Sequence, residues 1–240
     1  MLAVKGLIGG WGPTMIVEGV DLDIAEGETL AIIGRNGVGK TTLLELITGR
    51  ASRRAGEILL HGADIAVMPV HKRAHAGLGH VPQQREVFRN LTVDEHLLVA
   101  ARTGPWDRRR VFELFPSLAS RRSSLGSQLS GGEQQMLAIA RALVGNPRVL
   151  LMDEPSEGLA PVVIDELNEA VKSLTRSKTL SILLVEQRID LAQQLADRFA
   201  VMDRGRITHR GAISELGDQR RLAELVGLSM AGNGQVLNVA

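Results

Sequence analysis

Aromatic residues and cysteine are scarce in this chain of 240 residues, which has no cysteine, no tyrosine, four phenylalanines and two tryptophans. The absence of cysteine excludes disulfides, thiol catalysis and cysteine-ligated metal sites. With so few aromatic rings, the core must be built from aliphatic side chains. Hydrophobic residues make up 44% of the sequence, which is too large a share for a disordered protein.

An excess of one charge is also missing, since 28 basic residues face 27 acidic ones and the net charge is +1. Proteins dedicated to nucleic acid carry a large basic excess, so we expect no nucleic-acid partner. No apolar run reaches the roughly 18 residues that a membrane-spanning helix needs. The residues after Met1 lack the basic and apolar series of a signal peptide, so we expect none. A role at a membrane would therefore depend on a partner protein.

Short apolar runs alternate with longer helical patterns, which is typical of an α/β fold with a parallel sheet. Three runs, at 29–33, 149–152 and 181–185, are apolar along their length, as expected of strands covered on both faces. Residues 16–24 alternate in polarity and predict an edge or antiparallel strand. Residues 92–122 predict a helical insertion that opens with a capping box from Thr92 to Glu95. Residues 190–199 also look helical.

A glycine-rich loop lies between the first of these strands and a predicted helix at 41–48. It fits the pattern G-x-x-x-x-G-K-[ST], in which backbone N–H groups and a helix N-terminus surround phosphates. Lys40 would bind the β- and γ-phosphates, and the Thr41 hydroxyl would bind Mg²⁺. The alternative is an ordinary strand–helix turn with a surface lysine. The residues predicted to bind nucleotide here are Gly34, Arg35, Asn36, Gly37, Val38, Gly39, Lys40, Thr41 and Thr42.

A second candidate anion site lies in the sequence LSGGEQQ at 129–135. Locally, Ser130 and Glu133 form a capping box that opens a helix ending near Val144. Two glycines in the first turn of a helix cost about 1 kcal/mol each, so Gly131 and Gly132 predict that something approaches the backbone closely. Farther along the chain, the apolar run at 149–152 ends in two carboxylates, Asp153 and Glu154.

Together these motifs resemble the nucleotide-binding subunit of an ATP-binding cassette (ABC) transporter, from about residue 3 to residue 228. The resemblance implies an α/β P-loop NTPase fold with a parallel central sheet, an N-terminal antiparallel β-subdomain and a helical insertion. It implies one domain over residues 1–240, with a helical subdomain at about 85–145. The glycine- and asparagine-rich composition after Gly227 predicts a loosely ordered tail at about 228–240. The implied cofactors are ATP and Mg²⁺.

The resemblance also implies roles for residues in and beyond the loop. Lys40 and Glu154 would act in catalysis, Glu154 as the general base that orients the attacking water. Asp153 would hold Mg²⁺ through water, and Gln83 would bind Mg²⁺ and sense the transporter partner. Gln187 takes the position where most of the family has a histidine. A glutamine can donate a hydrogen bond to the γ-phosphate but cannot become cationic.

Two further expectations concern the nucleotide base and the partner subunit. Trp11 lies where the family usually has an aromatic residue that stacks on adenine, although a core tryptophan is an alternative. In the family, the LSGGE segment of one subunit closes on the γ-phosphate held by the other. Ser130, Gly131 and Gly132 would then bind ATP across the interface of a dimer, formed with a second copy or a sister subunit.

Several segments resemble one subgroup, the shorter ATPase of branched-chain amino acid importers, with urea and short-chain amide importers close to it. These segments are GRNGVGKTTLL, the pattern VPQxRxxFxxLTV, SEGLAP and VEQ. The resemblance implies integral membrane permease subunits, an external solute-binding protein and a place at the cytoplasmic face of the inner membrane. Two other hypotheses are a non-transport ABC ATPase in DNA repair or translation, and a nucleotide switch with little turnover.

Overall fold

The computed structural model describes residues 1–176 and 178–217. Over these residues the chain forms two β-sheets, one dominated by parallel strands and one antiparallel. The strands are β1 (Leu2–Trp11), β2 (Thr14–Ile24), β3 (Thr29–Ile33), β4 (Ser52–Leu60), β5 (Ala63–Asp64), β6 (Leu78–Val81), β7 (Val149–Asp153), β8 (Ser181–Glu186), β9 (Arg198–Asp203) and β10 (Arg206–Ala212).

The larger sheet has the strand order β10-β9-β3-β8-β7-β6. All of its neighbouring pairs are parallel except β10 with β9, which places an antiparallel strand at one edge. Strands β3, β7 and β8 are buried at every residue, as their continuous apolar sequences predict. Because parallel strands end at the same edge, the segments that follow β3, β6, β7 and β8 converge there.

The smaller sheet has the order β2-β1-β4-β5 and is antiparallel throughout. Strand β2 alternates between buried and exposed residues along much of its length, because one face packs on the core and the other meets solvent. Apolar residues of this sheet join those of the first helix and the central sheet in one hydrophobic cluster. The predicted α/β fold, with a parallel central sheet and an N-terminal antiparallel sheet, is confirmed.

The helices account for most of the remaining structure. The helix after the glycine-rich loop begins at Lys40, and the capping boxes predicted at Thr92 and Ser130 are both present. The helices are α1 (Lys40–Thr48), α2 (Val70–His75), α3 (Val93–Ala100), α4 (Arg108–Leu114), α5 (Pro116–Ala119), α6 (Gly131–Val144), α7 (Pro161–Arg176) and α8 (Ile189–Leu195), with 3₁₀ turns at Gly126–Gln128 and Ile213–Gly217.

Helices α3 to α6 lie within the range predicted for a helical subdomain, and they pack through a second hydrophobic cluster that includes Phe112, Phe115 and Leu137. The division of the chain into subdomains stays a prediction. The predicted tail at 228–240 lies outside the described residues.

The helical interpretation of residues 190–199 is wrong at its C-terminal end. Helix α8 ends at Leu195, and Phe199 lies in strand β9, where it is fully buried. The segment contains the end of α8 and the start of β9, and both are rich in apolar residues. Their combined apolar pattern resembles that of one helix. The sequence reading also missed α7 and the edge strand β10.

Candidate active site

The glycine-rich loop leads from the end of β3 into α1 and is shaped by glycines. Gly37 and Gly39 have φ angles of 79° and 109°, in the left-handed region that other residues rarely adopt. Within the described part of the chain, no side chain caps the N-terminus of α1, and its first turn has no acidic residue. The N–H groups of that turn are therefore left for a ligand, as expected of a phosphate-binding loop.

Lys40 is the first residue of α1, and its side chain turns back into the loop. Its Nζ donates hydrogen bonds to the carbonyl oxygens of Gly34 at 2.9 Å and Arg35 at 3.0 Å. Its third contact is an ion pair with Glu154, whose Oε1 lies 3.0 Å away. Both side chains are almost completely buried, so this is an ion pair shielded from water.

Glu154 follows the last residue of β7 and has a left-handed backbone, with φ of 44°. Such a conformation costs a non-glycine residue about 1–3 kcal/mol and must be held by surrounding contacts. One contact is the backbone hydrogen bond from the Glu154 N–H to the Val185 carbonyl oxygen, at 2.9 Å. The second carboxylate oxygen accepts a hydrogen bond from Gln187 Nε2 at 2.7 Å. Glu154 is thus held between Lys40 and Gln187.

Asp153 ends β7 and is 1% exposed. Burial raises the pKa of Asp153 to about 6. The charge of Glu154 raises this pKa slightly further, whereas a hydrogen bond with Thr41 lowers it in part. Its Oδ1 is buried and has no hydrogen-bond partner among residues 1–176 and 178–217. A hydroxyl beside a buried carboxylate oxygen that lacks a partner suits a hard divalent cation such as Mg²⁺. Thr41 and Asp153, two of the predicted metal ligands, are therefore brought together.

The third predicted ligand, Gln83, follows β6 and is exposed. Its amide donates a hydrogen bond to the carboxylate of Glu157, in the segment that follows Glu154. The nearby Arg85 guanidinium donates to the backbone carbonyl oxygen of Glu157 at 3.5 Å, the long limit of a hydrogen bond. The amide of Gln83 is thus engaged with the loop after β7, and its role as a metal ligand stays a prediction.

Trp11 ends β1 and is 47% exposed, so the alternative of a core tryptophan is wrong. Its indole Nε1 lies 3.4 Å from the hydroxyl of Thr42, the last residue of the glycine-rich motif. The ring therefore lies beside the loop with part of its surface open to solvent. This position is compatible with stacking on a nucleotide base, which stays a prediction.

The second candidate anion site lies at the N-terminus of α6. The Ser130 hydroxyl accepts a hydrogen bond from the Glu133 N–H at 3.3 Å, and Glu133 accepts one from the Ser130 N–H at 2.7 Å. A Cβ on Gly132 would lie 2.6 Å from the Val163 side chain in α7. Gly132 is thus also required by packing within the chain, a reason that the sequence reading missed. Ser130 and Gly131 are exposed.

A groove of about 800 Å³ lies between the central sheet and the helices that follow Gln83. Arg50, Arg102 and Arg141 are among its lining residues, together with the exposed apolar side chains of Val70 and Phe88. Arg141 donates to the carbonyl oxygens of residues 85 and 86, while Arg50 pairs with the Glu86 carboxylate at 2.8 Å. The segment after Gln83 is therefore held by arginines from two parts of the chain, the segment after α1 and helix α6.

Sequence reasoning missed two acidic residues of the site. Glu157 accepts the hydrogen bond from Gln83, and Glu186 is a buried carboxylate at the end of β8. The sequence did contain a signal for Glu186. Like Asp153, it is an acidic residue at the end of a predicted buried strand. Glu157 lies in a polar turn and gave no such signal.

Comparison with known proteins identifies the class. Residues 17–157 match the ABC transporter family, and the chain belongs to that family as an ATP-binding subunit with ATPase activity. It is 31% identical to a solved ATP-binding subunit of an ABC transporter, covering 95% of each chain with a TM-score of 0.79. It is 26% identical to the dimeric bacterial cassette MJ0796, covering 89% of this chain and 99% of that one with a TM-score of 0.77.

Curated relatives point to a narrower group. The chain is 36% identical to a probable branched-chain amino acid transport ATP-binding protein, LivF of Archaeoglobus fulgidus, over 94% of this chain and 98% of LivF. It is 38% identical to the high-affinity branched-chain amino acid transport protein BraG of Pseudomonas aeruginosa, over 82% and 86%. It is 31% identical to the lipopolysaccharide export protein LptB of Escherichia coli K12, over 90% and 92%.

In the described part of the chain, no helix combines the length and apolar character required to cross a membrane.

Proposed function

We propose that this chain is the subunit that binds and hydrolyses ATP to energise an importer of branched-chain amino acids. The assignment of branched-chain amino acids as the solute rests on the similarity to LivF and BraG along most of each sequence. The buried residues Lys40, Asp153 and Glu154, with Gln187 bonded to Glu154 from the exposed side, support ATP hydrolysis at this site. Importers of urea or short-chain amides are the alternative, and the similarity to LptB makes a lipopolysaccharide exporter a second one.

The proposed chemistry begins with the triphosphate in the loop from Gly34 to Thr42, with Trp11 against the base. Lys40 leaves Glu154 and moves to the β- and γ-phosphates. The freed Glu154 carboxylate then orients and deprotonates the attacking water, as phosphoryl transfer requires a positioned nucleophile more than covalent catalysis. Gln187, which hydrogen-bonds to Glu154, holds that carboxylate in place.

Mg²⁺ fits the same site and would be held by Thr41, Asp153 and Gln83. When bound, it would neutralise charge on the phosphates. The unpaired Oδ1 of Asp153, beside Thr41, supports this assignment. Gln83 would join these ligands by leaving Glu157, which would link metal binding to the segment that lines the groove.

The active unit is proposed to be a dimer in which two nucleotides lie between the subunits. Ser130, Gly131 and Gly132 of one subunit would bind the γ-phosphate held by Lys40 of the other. The exposure of Ser130 and Gly131, together with the dimeric cassette MJ0796, supports this arrangement. The partner is a second copy or a sister ATPase.

The groove is the proposed contact with the integral permease subunits, which would hold the protein at the cytoplasmic face of the inner membrane. Exposed apolar side chains such as Phe88, Val70 and Val99 favour burial against a partner. An external solute-binding protein would act through those permease subunits. We expect Phe88→Ser to weaken recovery with membranes and leave ATP binding unchanged, whereas Val67→Ser, an exposed apolar residue outside the groove, should change neither.

The deciding experiment is purification of the tagged chain from native membranes, followed by reconstitution of the copurified complex in liposomes. ATPase activity should rise with a binding protein loaded with leucine or isoleucine and not with one loaded with urea. Stimulation by urea or a short amide would transfer the assignment to that importer class. Copurification with lipopolysaccharide export components would favour the exporter.

A further inference from the structure

Glu186 is the last residue of β8 and is 2% exposed. In the sheet it lies beside Ile33, which immediately precedes the glycine-rich loop, and the preceding Val185 pairs with Asp153 on the other side. A carboxylate at this central position is not required by the fold, since the four residues before it in β8, 182–185, are apolar and equally buried.

The carboxylate of Glu186 is satisfied entirely by uncharged donors. It accepts a hydrogen bond from the Ser156 N–H at 3.3 Å. The Ser156 hydroxyl and the Arg188 N–H also lie near enough to lower its pKa, against the larger effect of burial. Over residues 1–176 and 178–217, no lysine, arginine or histidine forms an ion pair with it. Burial raises its pKa, as expected of a carboxylate removed from water without a cation.

Both backbone donors lie close in sequence to the proposed catalytic pair, since Arg188 directly follows Gln187 and Ser156 comes two residues after Glu154. The chain bends at Gln187, and the Arg188 N–H that follows the bend interacts with the Glu186 carboxylate. The Ser156 N–H lies two residues after Glu154, whose left-handed backbone needs such restraint. Glu186 therefore restrains both ends of the 2.7 Å hydrogen bond between Gln187 and Glu154.

We propose that Glu186 is a positioning residue for ATP hydrolysis, which aligns the Gln187–Glu154 pair by holding the Ser156 and Arg188 backbone. This inference rests on the proposed function. Glu186 does not contact the phosphates in this assignment, and it acts through the two residues that do the chemistry. A misplacement of a catalytic group by about 1 Å can lower turnover by about 100-fold, so restraint at this point is important for rate.

A residue kept only for stability would behave differently. Burying a carboxylate without a cation opposes folding at neutral pH, so an uncharged residue of the same shape should not lower stability. A glutamine would, however, keep one acceptor oxygen and replace the other with an NH₂ group, which donates instead of accepting. The substitution should therefore disturb geometry without lowering the melting temperature.

The test is Glu186→Gln, compared with wild type and with Glu169→Gln, an exposed carboxylate on α7. We expect kcat for Mg-ATP to fall by about 10- to 100-fold, while KM stays within about 2-fold and Tm is unchanged or higher. Glu169→Gln should match wild type. Ser156→Ala, which removes one donor, should lower kcat less and also leave KM unchanged.

A double-mutant cycle separates positioning from a general structural effect. In a Gln187→Ala background, where the hydrogen bond to Glu154 is absent, Glu186→Gln should lower kcat by no more than about 3-fold. An undiminished loss in that background would overturn the proposal, as would normal kcat in Glu186→Gln or a large fall in its Tm. Absence of turnover in the wild-type protein would instead count against the proposed function.

Discussion

The two helix N-termini proposed to bind phosphate, at α1 and at α6, differ in whether side chains of the chain itself cap them. The N-terminus of α1 has no side-chain cap in the described structure, and the lysine at its start is buried against Glu154. The N-terminus of α6 has a complete capping box from its own Ser130 and Glu133, and it lies at the surface.

This difference indicates what each site lacks. At α1 the loop, the lysine and the carboxylates are all assembled within one chain. At α6 the local N–H groups are partly satisfied, and a single exposed helix end cannot select a triphosphate by itself. In the proposed dimer, the second site would therefore become specific only when another subunit brings a bound nucleotide to it.

The largest expected effect comes from Glu154→Gln, which removes the proposed general base on the α1 side. Turnover should fall at least about 100-fold, because a positioned base contributes about that much or more. ATP should then persist in a long-lived dimer. Phosphate release and size-exclusion chromatography check the two outcomes. Normal phosphate release from this variant would show that Glu154 is not the general base.

Lys40→Ala should abolish tight nucleotide binding, which calorimetry with ATP would detect. It also leaves the Glu154 carboxylate buried without its cation, so the free energy of unfolding should fall by about 3–5 kcal/mol. The double variant Lys40→Ala with Glu154→Gln should recover most of that stability, since no buried charge is then unpaired. Unchanged ATP affinity in Lys40→Ala would contradict the assignment of the loop.

The variant Ser130→Ala tests only the proposed phosphate site at the N-terminus of α6. Loss of the cap should lower stability by about 1 kcal/mol. In a Glu154→Gln background, the ATP-dependent dimer seen by sedimentation should disappear, while the affinity of the monomer for ATP stays within about 2-fold. A dimer as stable as that of Glu154→Gln alone would show that α6 does not complete the site.

The smallest effect is expected for Glu133→Gln, and it depends on pH. Burial alone would raise the pKa of Glu133, but hydrogen bonds from Ser130 and Arg121 outweigh it and lower the pKa below its usual value. Its stabilising contribution is thus complete above the unfolded pKa and is lost as pH falls through the folded one.

The variant should therefore unfold about 0.5–1 kcal/mol more easily than wild type at pH 7. Thermal unfolding followed from pH 7 to pH 3 should show this difference shrinking toward zero. A difference that grows on acidification would contradict the pKa direction and the capping role.

The sequence predicted the parts of the fold whose signals are local. Strands β3, β7 and β8 are covered on both faces, so their apolar runs were unambiguous, and the capping boxes mark their helices directly. Strand β10 was missed because it is a partly exposed edge with alternating polar residues. Helix α7 was missed although its buried residues, among them Ile164, Leu167 and Leu174, recur with helical spacing.

For the candidate site, the sequence identified the residues but not their contacts. Lys40 and Glu154 are more than 100 positions apart, so their ion pair follows only from the sheet order that aligns β3, β8 and β7. The same holds for Gln187, which was expected to act on phosphate and in the structure donates to Glu154. For Gly132, the sequence predicted a glycine that leaves room for a ligand. The structure adds a second reason for the glycine, because a Cβ at this position would clash with the Val163 side chain.

The ion pair between Lys40 and Glu154 has a consequence for any measured affinity. The carboxylate is a tethered competitor for the ammonium group, present at a high effective concentration because both belong to one folded chain. If Lys40 binds the phosphates as proposed, nucleotide displaces this carboxylate, and the apparent dissociation constant reports an exchange of one anion for another. A chain with a neutral side chain at position 154 should therefore capture ATP more readily even before it meets a second subunit.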